Sequence, residues 1–396
     1  KIIIEGNTRT RDKVIRRELN VYEQELFSGL RLKRGVRNLY RLGFFEDVKV
    51  DTVRGSADDQ MILKVTVEER STGNLSIGGG YSSVDEWFGT GSIAEENFLG
   101  RGQELKFQAE VSNKATRFNL GYTEPWLFDI PLSSGIDLYS WQRDYDSYDK
   151  FSNGGGFRFS YPIAIDTRLG IKYNYDISEV DEVTDEAPRS IKELVGQYST
   201  SAVASWLGYN STDRAFNPTR GQDHRLTVEY AGLGGDISFI KYVGQLGIYF
   251  PIYKGVIGVM HGEGGYVQEQ DTILPDYERF YLGGINSLRG FKWREIHAVD
   301  EDGNDVGGEK YVQGNFELNI PLFPEAGIMG VLFFDTGDVY GPEEDIDLGN
   351  LRQSAGYGVR WFSPVGPIRL ERGHILDPEE GEDSSGRWEF SMGAAF

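Results

Sequence analysis

The sequence predicts a mainly β fold: a sixteen-stranded antiparallel transmembrane β-barrel over residues 71–396, preceded by one small α+β domain over residues 1–70. Three observations predict it. Apolar and polar residues alternate with a period of two from Gly73 to the C-terminus, no apolar run reaches the roughly 18 residues of a membrane helix, and the acidic residues gather in a few connections. Mean hydropathy is −0.43, and a barrel that is apolar on one face only reads as hydrophilic on average.

Composition narrows the function classes. Lys+Arg number 41 against 62 Asp+Glu, a net charge of −21, which opposes general nucleic-acid binding because phosphate demands positive charge. With no cysteine in the chain, disulfides, thiolate zinc sites and thiol catalysis are excluded. The chain opens with Lys1-Ile2-Ile3-Ile4, a strand pattern with no secretory signal before it, as expected of a processed or truncated polypeptide.

The first seventy residues carry 15 bases and 12 acids, a net +3 inside an acidic chain. Ile2 to Glu5 reads as a short strand closed by Gly6-Asn7. Thr10 is placed to cap a helix with Val14, Ile15 and Leu19 on one side. A second helix follows Ser28, with Leu32, Val36, Leu39 and Tyr40 at spacings of four and three, and Gly43 stops it. Two strands complete a β-α-α-β-β unit, one through Val48 and Val50, the other through Ile62, Leu63, Val65 and Val67.

Beyond Gly73, Leu105, Phe107, Ala109 and Val111 alternate with Glu104, Lys106, Gln108 and Glu110. Leu169, Ile171, Tyr173 and Tyr175 alternate likewise with Arg168, Lys172, Asn174 and Asp176. The last strand sets Trp388, Phe390, Met392, Ala394 and Phe396 against Arg387, Glu389, Ser391, Gly393 and Ala395. Such segments need one apolar and one wet face. Sixteen can be counted, an even number that returns both barrel ends to one rim, and several exceed the roughly 9–11 tilted residues of a bilayer crossing.

The connections sort into two sets. One set is short and holds nine of the 13 prolines, as in Pro125-Trp126, Tyr161-Pro162, Phe250-Pro251, Ile320-Pro321 and Ser363-Pro364. The other includes the windows 179–190, 300–309, 343–347 and 377–383, which hold 19 acidic residues and one base. Short turns on one rim and long loops on the other are the layout of outer-membrane barrels. The small domain joins the first strand on the short-turn rim, which is then the periplasmic one.

Enzyme motifs are nearly absent. The four histidines are scattered, and neither a Gly-x-Ser-x-Gly elbow nor a phosphate loop occurs, so no catalytic residue, cofactor or metal site is expected. The run Asp300–Asp305 fails as a calcium loop, since Asp305 stands at the turn-glycine position and Tyr311 at the closing glutamate. Gly89 and Gly91 lie in strands and read as relief of crowding in a barrel wall.

One segment resists a bland reading. The connection from about Gln268 to Gly308 is far longer than a hairpin loop and is centred on Phe280-Tyr281-Leu282-Gly283-Gly284-Ile285-Asn286-Ser287-Leu288-Arg289-Gly290-Phe291. An apolar, glycine-bearing, arginine-centred stretch is poorly suited to solvent, and folding back into the lumen would satisfy it. Arg289 then pairs with wall carboxylates. Glu317 lies on the polar side of its strand, and Asp335 in Phe333-Phe334-Asp335-Thr336-Gly337, a strand apolar on both faces.

At these residues the chain resembles the BamA family of β-barrel assembly proteins along its whole length. Ile4-Glu5-Gly6-Asn7, Arg16-Arg17-Glu18-Leu19 and Arg41-Leu42-Gly43-Phe44-Phe45 resemble that family's last polypeptide-transport-associated (POTRA) domain. Phe280-Tyr281-Leu282-Gly283-Gly284, Leu288-Arg289-Gly290-Phe291 and Trp361-Phe362-Ser363-Pro364-Val365-Gly366-Pro367 resemble its barrel, with leucine at 288 where the family usually has valine. The resemblance implies that Leu288, Arg289, Gly290 and Phe291 form the conserved loop motif and that Glu317 and Asp335 anchor it. It also implies outer-membrane location, unfolded outer-membrane proteins as clients and the machinery's Bam lipoproteins as partners. Periplasmic chaperones, outer-membrane lipid and lipopolysaccharide are further expected neighbours.

A lateral gate is the mechanism these residues suggest. Gly78, Gly79 and Gly80 weaken the first barrel strand, and the gate is expected between it and the last strand, at Ser391 and Phe396. The same glycines also read as relief of crowding against the inserted loop. Phe396 reads both as part of a lipid-facing aromatic rim and as the end of a barrel sorting signal. The alternative function is a protein-translocation pore of the two-partner secretion or TamA type. A diffusion porin would lack the head domain and the arginine loop.

Overall fold

The computed structural model describes residues 1–57, 60–214, 217–363, 366–379, 382 and 385–392. Its N-terminal part orders β1 (Ile2–Glu5), α1 (Asp12–Leu19), α2 (Gly29–Leu42), β2 (Phe45–Arg54) and β3 (Met61–Glu69), with the sheet order β1-β3-β2. Both helices lay one apolar stripe on the sheet, so Val14, Ile15, Leu19 and Leu39 bury against Leu63, Val65 and Val67. The helices cross at Gly35, where a Cβ would stand 2.0 Å from the Leu19 carbonyl oxygen. Ser28 caps α2 by accepting from the Arg31 amide, and Gly43 ends it at φ 76°.

Thr10 does not cap α1. The N-cap is Arg11, without a side-chain bond, and Thr10 is drawn instead into longer-range contacts. Its amide donates to Glu69 Oε1 at 2.6 Å, and its hydroxyl accepts from Asn97 Nδ2 at 2.9 Å.

The barrel strands are β4 (Gly73–Ser82), β5 (Glu86–Phe98), β6 (Gln103–Ser112), β7 (Ala115–Leu127), β8 (Leu132–Asp144), β9 (Asp149–Ala164), β10 (Thr167–Asp181) and β11 (Gly196–Asn210). They continue as β12 (Gly221–Ala231), β13 (Phe239–Tyr253), β14 (Val256–Glu269) and, after the two-residue strands β15 (Ala298–Val299) and β16 (Asp305–Val306), β17 (Lys310–Phe323). β18 (Ile328–Tyr340), β19 (Arg352–Ser363), β20 (Gly366–Ile375) and β21 (Arg387–Met392) close the cylinder of sixteen. The alternation becomes geometry: Leu169, Ile171, Phe316, Leu318 and Trp388 lie exposed on the outside. No helix among the described residues is long and apolar enough to cross a membrane; these strands are the crossing elements.

Residues 1–76, 92–108 and 120–135 form one compact unit and the rest of the barrel another. Within the first unit Arg11 N donates to Gly100 O at 2.9 Å, Trp126 Nε1 to Glu18 Oε1 at 3.0 Å, and Lys13 pairs with Asp129.

Candidate functional site

The connection between β14 and β17 folds into a buried cluster in which Leu282, Leu288, Phe291 and Ile296 pack with Tyr311, Val339 and Ile375 of the wall. Positive φ at Gly283, Gly284 and Gly290 gives the backbone its turns. Asp276, 1% exposed, knits the base of the segment: it accepts from Arg294 Nη2 at 2.6 Å, from Gly307 N at 2.9 Å and from the Tyr281 hydroxyl.

Arg289 lies at the centre of the tip, 2% exposed. Its Nε and Nη2 grip Asp335 at 2.7 and 2.6 Å, its backbone amide donates to the same carboxylate at 3.1 Å, and its face covers the Phe333 ring at 3.7 Å. Nη1 reaches Glu317 at 2.6 Å and Glu371 at 2.8 Å. A planar guanidinium suits this bidentate grip, as a lysine would not. Arg360 bridges Glu317 and Glu371, each at 2.7 Å, and Arg369 holds Glu371 and the Ile285 carbonyl. Three arginines thus meet three carboxylates in a region from which water is largely withdrawn. Removing one member would strand buried charge.

Strand register builds this arrangement. Asn315 stands opposite Asp335 on neighbouring strands, Arg360 opposite Arg369, and Glu371 opposite Glu389. Asn315 Nδ2 adds bonds to Asp335 and to the Ser287 carbonyl. Sequence reasoning missed Glu371, Arg360, Arg369, Asn315 and Glu389. The available signal was the inward phase of Arg369, Glu371 and Gly373 along β20. Gly373 admits the tip, for a Cβ there would stand 2.5 Å from the Gly290 nitrogen. Leu288 and Phe291 flank Arg289, each fully buried.

Glu389, 1% exposed, ties the tip to the last strand. Its Oε1 accepts from the Gly290 amide at 3.3 Å, while Oε2 has no hydrogen-bond partner among the described residues.

The seam between β21 and β4 is described as far as Met392. β10 and β11 stay in register from Thr167↔Tyr209 to Val180↔Gly196, whereas β21 meets β4 in a single registered pair among the described residues, Ser391↔Ser82. Ser83 N adds a bond to Phe390 O at 3.1 Å. A Cβ on Gly80 would stand 2.5 Å from Met392 O, while Gly78 and Gly79 face Thr90 and Phe88. The nearest atoms to these glycines belong to adjacent strands, not to the inserted loop. Gly89 and Gly91 face open space within 4 Å, so crowding does not explain them. Phe396 lies outside the described residues.

A plugged sixteen-stranded barrel behind a β-α-α-β-β domain defines an outer-membrane barrel with a periplasmic N-terminal domain. The Omp85 superfamily domain matches residues 97–396, and the POTRA model, described as the surface antigen variable number repeat, matches residues 1–70. The chain belongs to the Omp85 superfamily. It is 35% identical over 404 residues to outer membrane protein assembly factor BamA of Nitratidesulfovibrio vulgaris, covering 100% of this chain and 51% of that protein. This chain therefore spans about half the length of that curated relative. BamA from Haemophilus ducreyi lacking POTRA domains 1–3 superposes with a TM-score of 0.82 at 24% identity, over 100% of this chain and 84% of that one. CdiB from Escherichia coli shares the fold with a TM-score of 0.68 at 15% identity, over 99% and 75%.

Proposed function

We propose that this chain assembles and inserts β-barrel proteins into the bacterial outer membrane, opening sideways between β21 and β4 and pairing the freed edge with client strands. One observation carries the reading: the closing joint holds a single registered pair among the described residues. Unpaired strand edges in lipid cost several kcal/mol per group, and a catalyst that lends a partner by β-augmentation removes that barrier. The carboxylate–guanidinium cluster keeps β17 to β20 fixed while the seam yields, and Glu389 connects the loop tip to the moving strand.

Unfolded outer-membrane proteins are the proposed clients, delivered with help from periplasmic chaperones and from Bam lipoproteins docked on the periplasmic side. Lipid and divalent-bridged lipopolysaccharide are the proposed neighbours of the wall and its acidic loops. Client folding free energy, without ATP, drives the reaction.

Reconstitution tests this. The protein in liposomes is expected to speed the folding of several unrelated urea-unfolded barrels without nucleotide, read as heat-modifiable migration on gels. Acceleration of none of them, or release of one exported substrate instead, would overturn the assignment in favour of a dedicated translocation pore.

A further inference from the structure

The described surface holds a groove of about 810 Å³, formed within the first compact unit by Leu75, Ile93, Phe107 and Leu120 together with Arg9 and Glu95. Leu75 and Ile93 are 69% and 57% exposed, so the apolar floor belongs to the wall that meets lipid. A polar end with one cation and one anion closes this apolar floor.

Both polar groups are held in place. The Arg9 amide donates to Glu69 Oε2 at 2.9 Å, and its carbonyl abuts Gly100, where a Cβ would come within 1.9 Å; the side chain itself is exposed. Glu95 Oε1 accepts from the Thr72 hydroxyl and from Asn97 N, the latter at 3.0 Å, while Oε2 has no hydrogen bond among the described residues. Arg11 and Arg101, also exposed, flank Arg9 on the same turn, because Arg11 N binds Gly100 O.

We propose that this groove binds a glycerophospholipid whose head group carries a phosphate beside a primary ammonium, as in phosphatidylethanolamine. An acyl chain lies along Leu75, Ile93, Phe107 and Leu120, where burial of apolar area stabilises it. The phosphate meets the Arg9 guanidinium in a charge-assisted hydrogen bond, and the ammonium donates to Glu95 Oε2. A quaternary ammonium has no N–H to donate, and a glycerol head group has no positive charge, so both fit less well. The inference does not depend on lateral opening; it requires only that the barrel sits in a phospholipid leaflet.

Native mass spectrometry of the full chain, delipidated in detergent and titrated with phosphatidylethanolamine, phosphatidylcholine or phosphatidylglycerol, tests it. The protein is expected to retain phosphatidylethanolamine about ten-fold more strongly than the other two. Arg9→Gln should weaken retention of all three, whereas Glu95→Gln should remove the preference over both phosphatidylcholine and phosphatidylglycerol. Heat-modifiable gel migration identifies any variant that fails to fold, and Arg9→Lys, which keeps the charge, should restore part of the binding. Equal retention of the three lipids by the unaltered protein would overturn the proposal, as would variants that bind like it, or a groove that takes detergent or peptide in preference to phospholipid.

Discussion

Gly290 and Gly373 meet backbone to backbone: a Cβ on Gly373 would lie 2.5 Å from the Gly290 nitrogen and 2.6 Å from the Arg289 carbonyl carbon. The tip of the inserted loop reaches its carboxylates because the wall has no side chain at that point. Gly373→Val should unseat the tip at a cost of about 1–3 kcal/mol, the range for overpacking. Limited trypsin digestion, which cleaves after Arg289 only when the tip is free, reads this directly. Continued protection of Arg289 in the folded variant would contradict the packing assignment.

Arg289→Ala removes the cation shared by Asp335, Glu317 and Glu371. Breaking such a buried cluster from one side costs about 3–5 kcal/mol. Arg289→Lys should recover only a minor part, since an ammonium cannot span both Asp335 oxygens. Thermal unfolding in detergent is the measurement. Full recovery by lysine would show that charge alone, without the planar fork, holds the loop.

Glu389 faces Glu371 on the adjacent strand, and one of its oxygens has no hydrogen-bond partner among the described residues. Glu389→Gln keeps an acceptor for the Gly290 amide and replaces the idle oxygen with a donor. It should leave thermal stability unchanged or raise it, whereas Glu389→Ala should lower it by about 1–3 kcal/mol through loss of the tip's bond. Equal losses in both variants would require a negative charge at this position.

In the head domain Glu69 accepts from the Thr8 amide and hydroxyl and from the amides of Arg9 and Thr10. Burial works to raise its pKa, but these bonds prevail and hold the carboxyl at about 2, below its ordinary 4.5. A depressed value in the folded state means stabilisation that is complete above pH 4.5 and lost as pH falls toward 2. The contribution, discounted for partial exposure, is about 1–2 kcal/mol. Hydrogen exchange at Thr8–Thr10, corrected for the intrinsic rate, should accelerate across that window, and Glu69→Gln should flatten the change. A variant with the same pH response as the unaltered protein would transfer the effect to another group.

Much of this was legible in sequence, for a local reason. Period-two alternation is a property of neighbouring residues, so Leu169–Tyr175 and the last strand announced their faces without knowledge of partners. Helix α2 was equally readable, because Ser28 and Gly43 act within one turn of themselves. Thr10 misled because its cap role lost to Glu69 and Asn97, which lie 59 and 87 residues away. Glu371, Arg360 and Arg369 were invisible as a cluster, since a charged inward residue looks the same whether it meets water or an arginine. Arg289 and Asp335 stood out because an arginine in an apolar loop and an acid in a wholly apolar strand each demand a partner, whereas Glu317 was read from the polar side of its strand and from the family resemblance.

Ser82 and Ser391 are opposed in an antiparallel pair, a separation a disulfide can bridge. The direct measurement is client assembly by Ser82→Cys/Ser391→Cys protein in liposomes, oxidised and then reduced. Lateral opening predicts that oxidation abolishes accelerated folding and that reductant restores it, with either single-cysteine protein unaffected. Undiminished assembly by the fully cross-linked protein would contradict it.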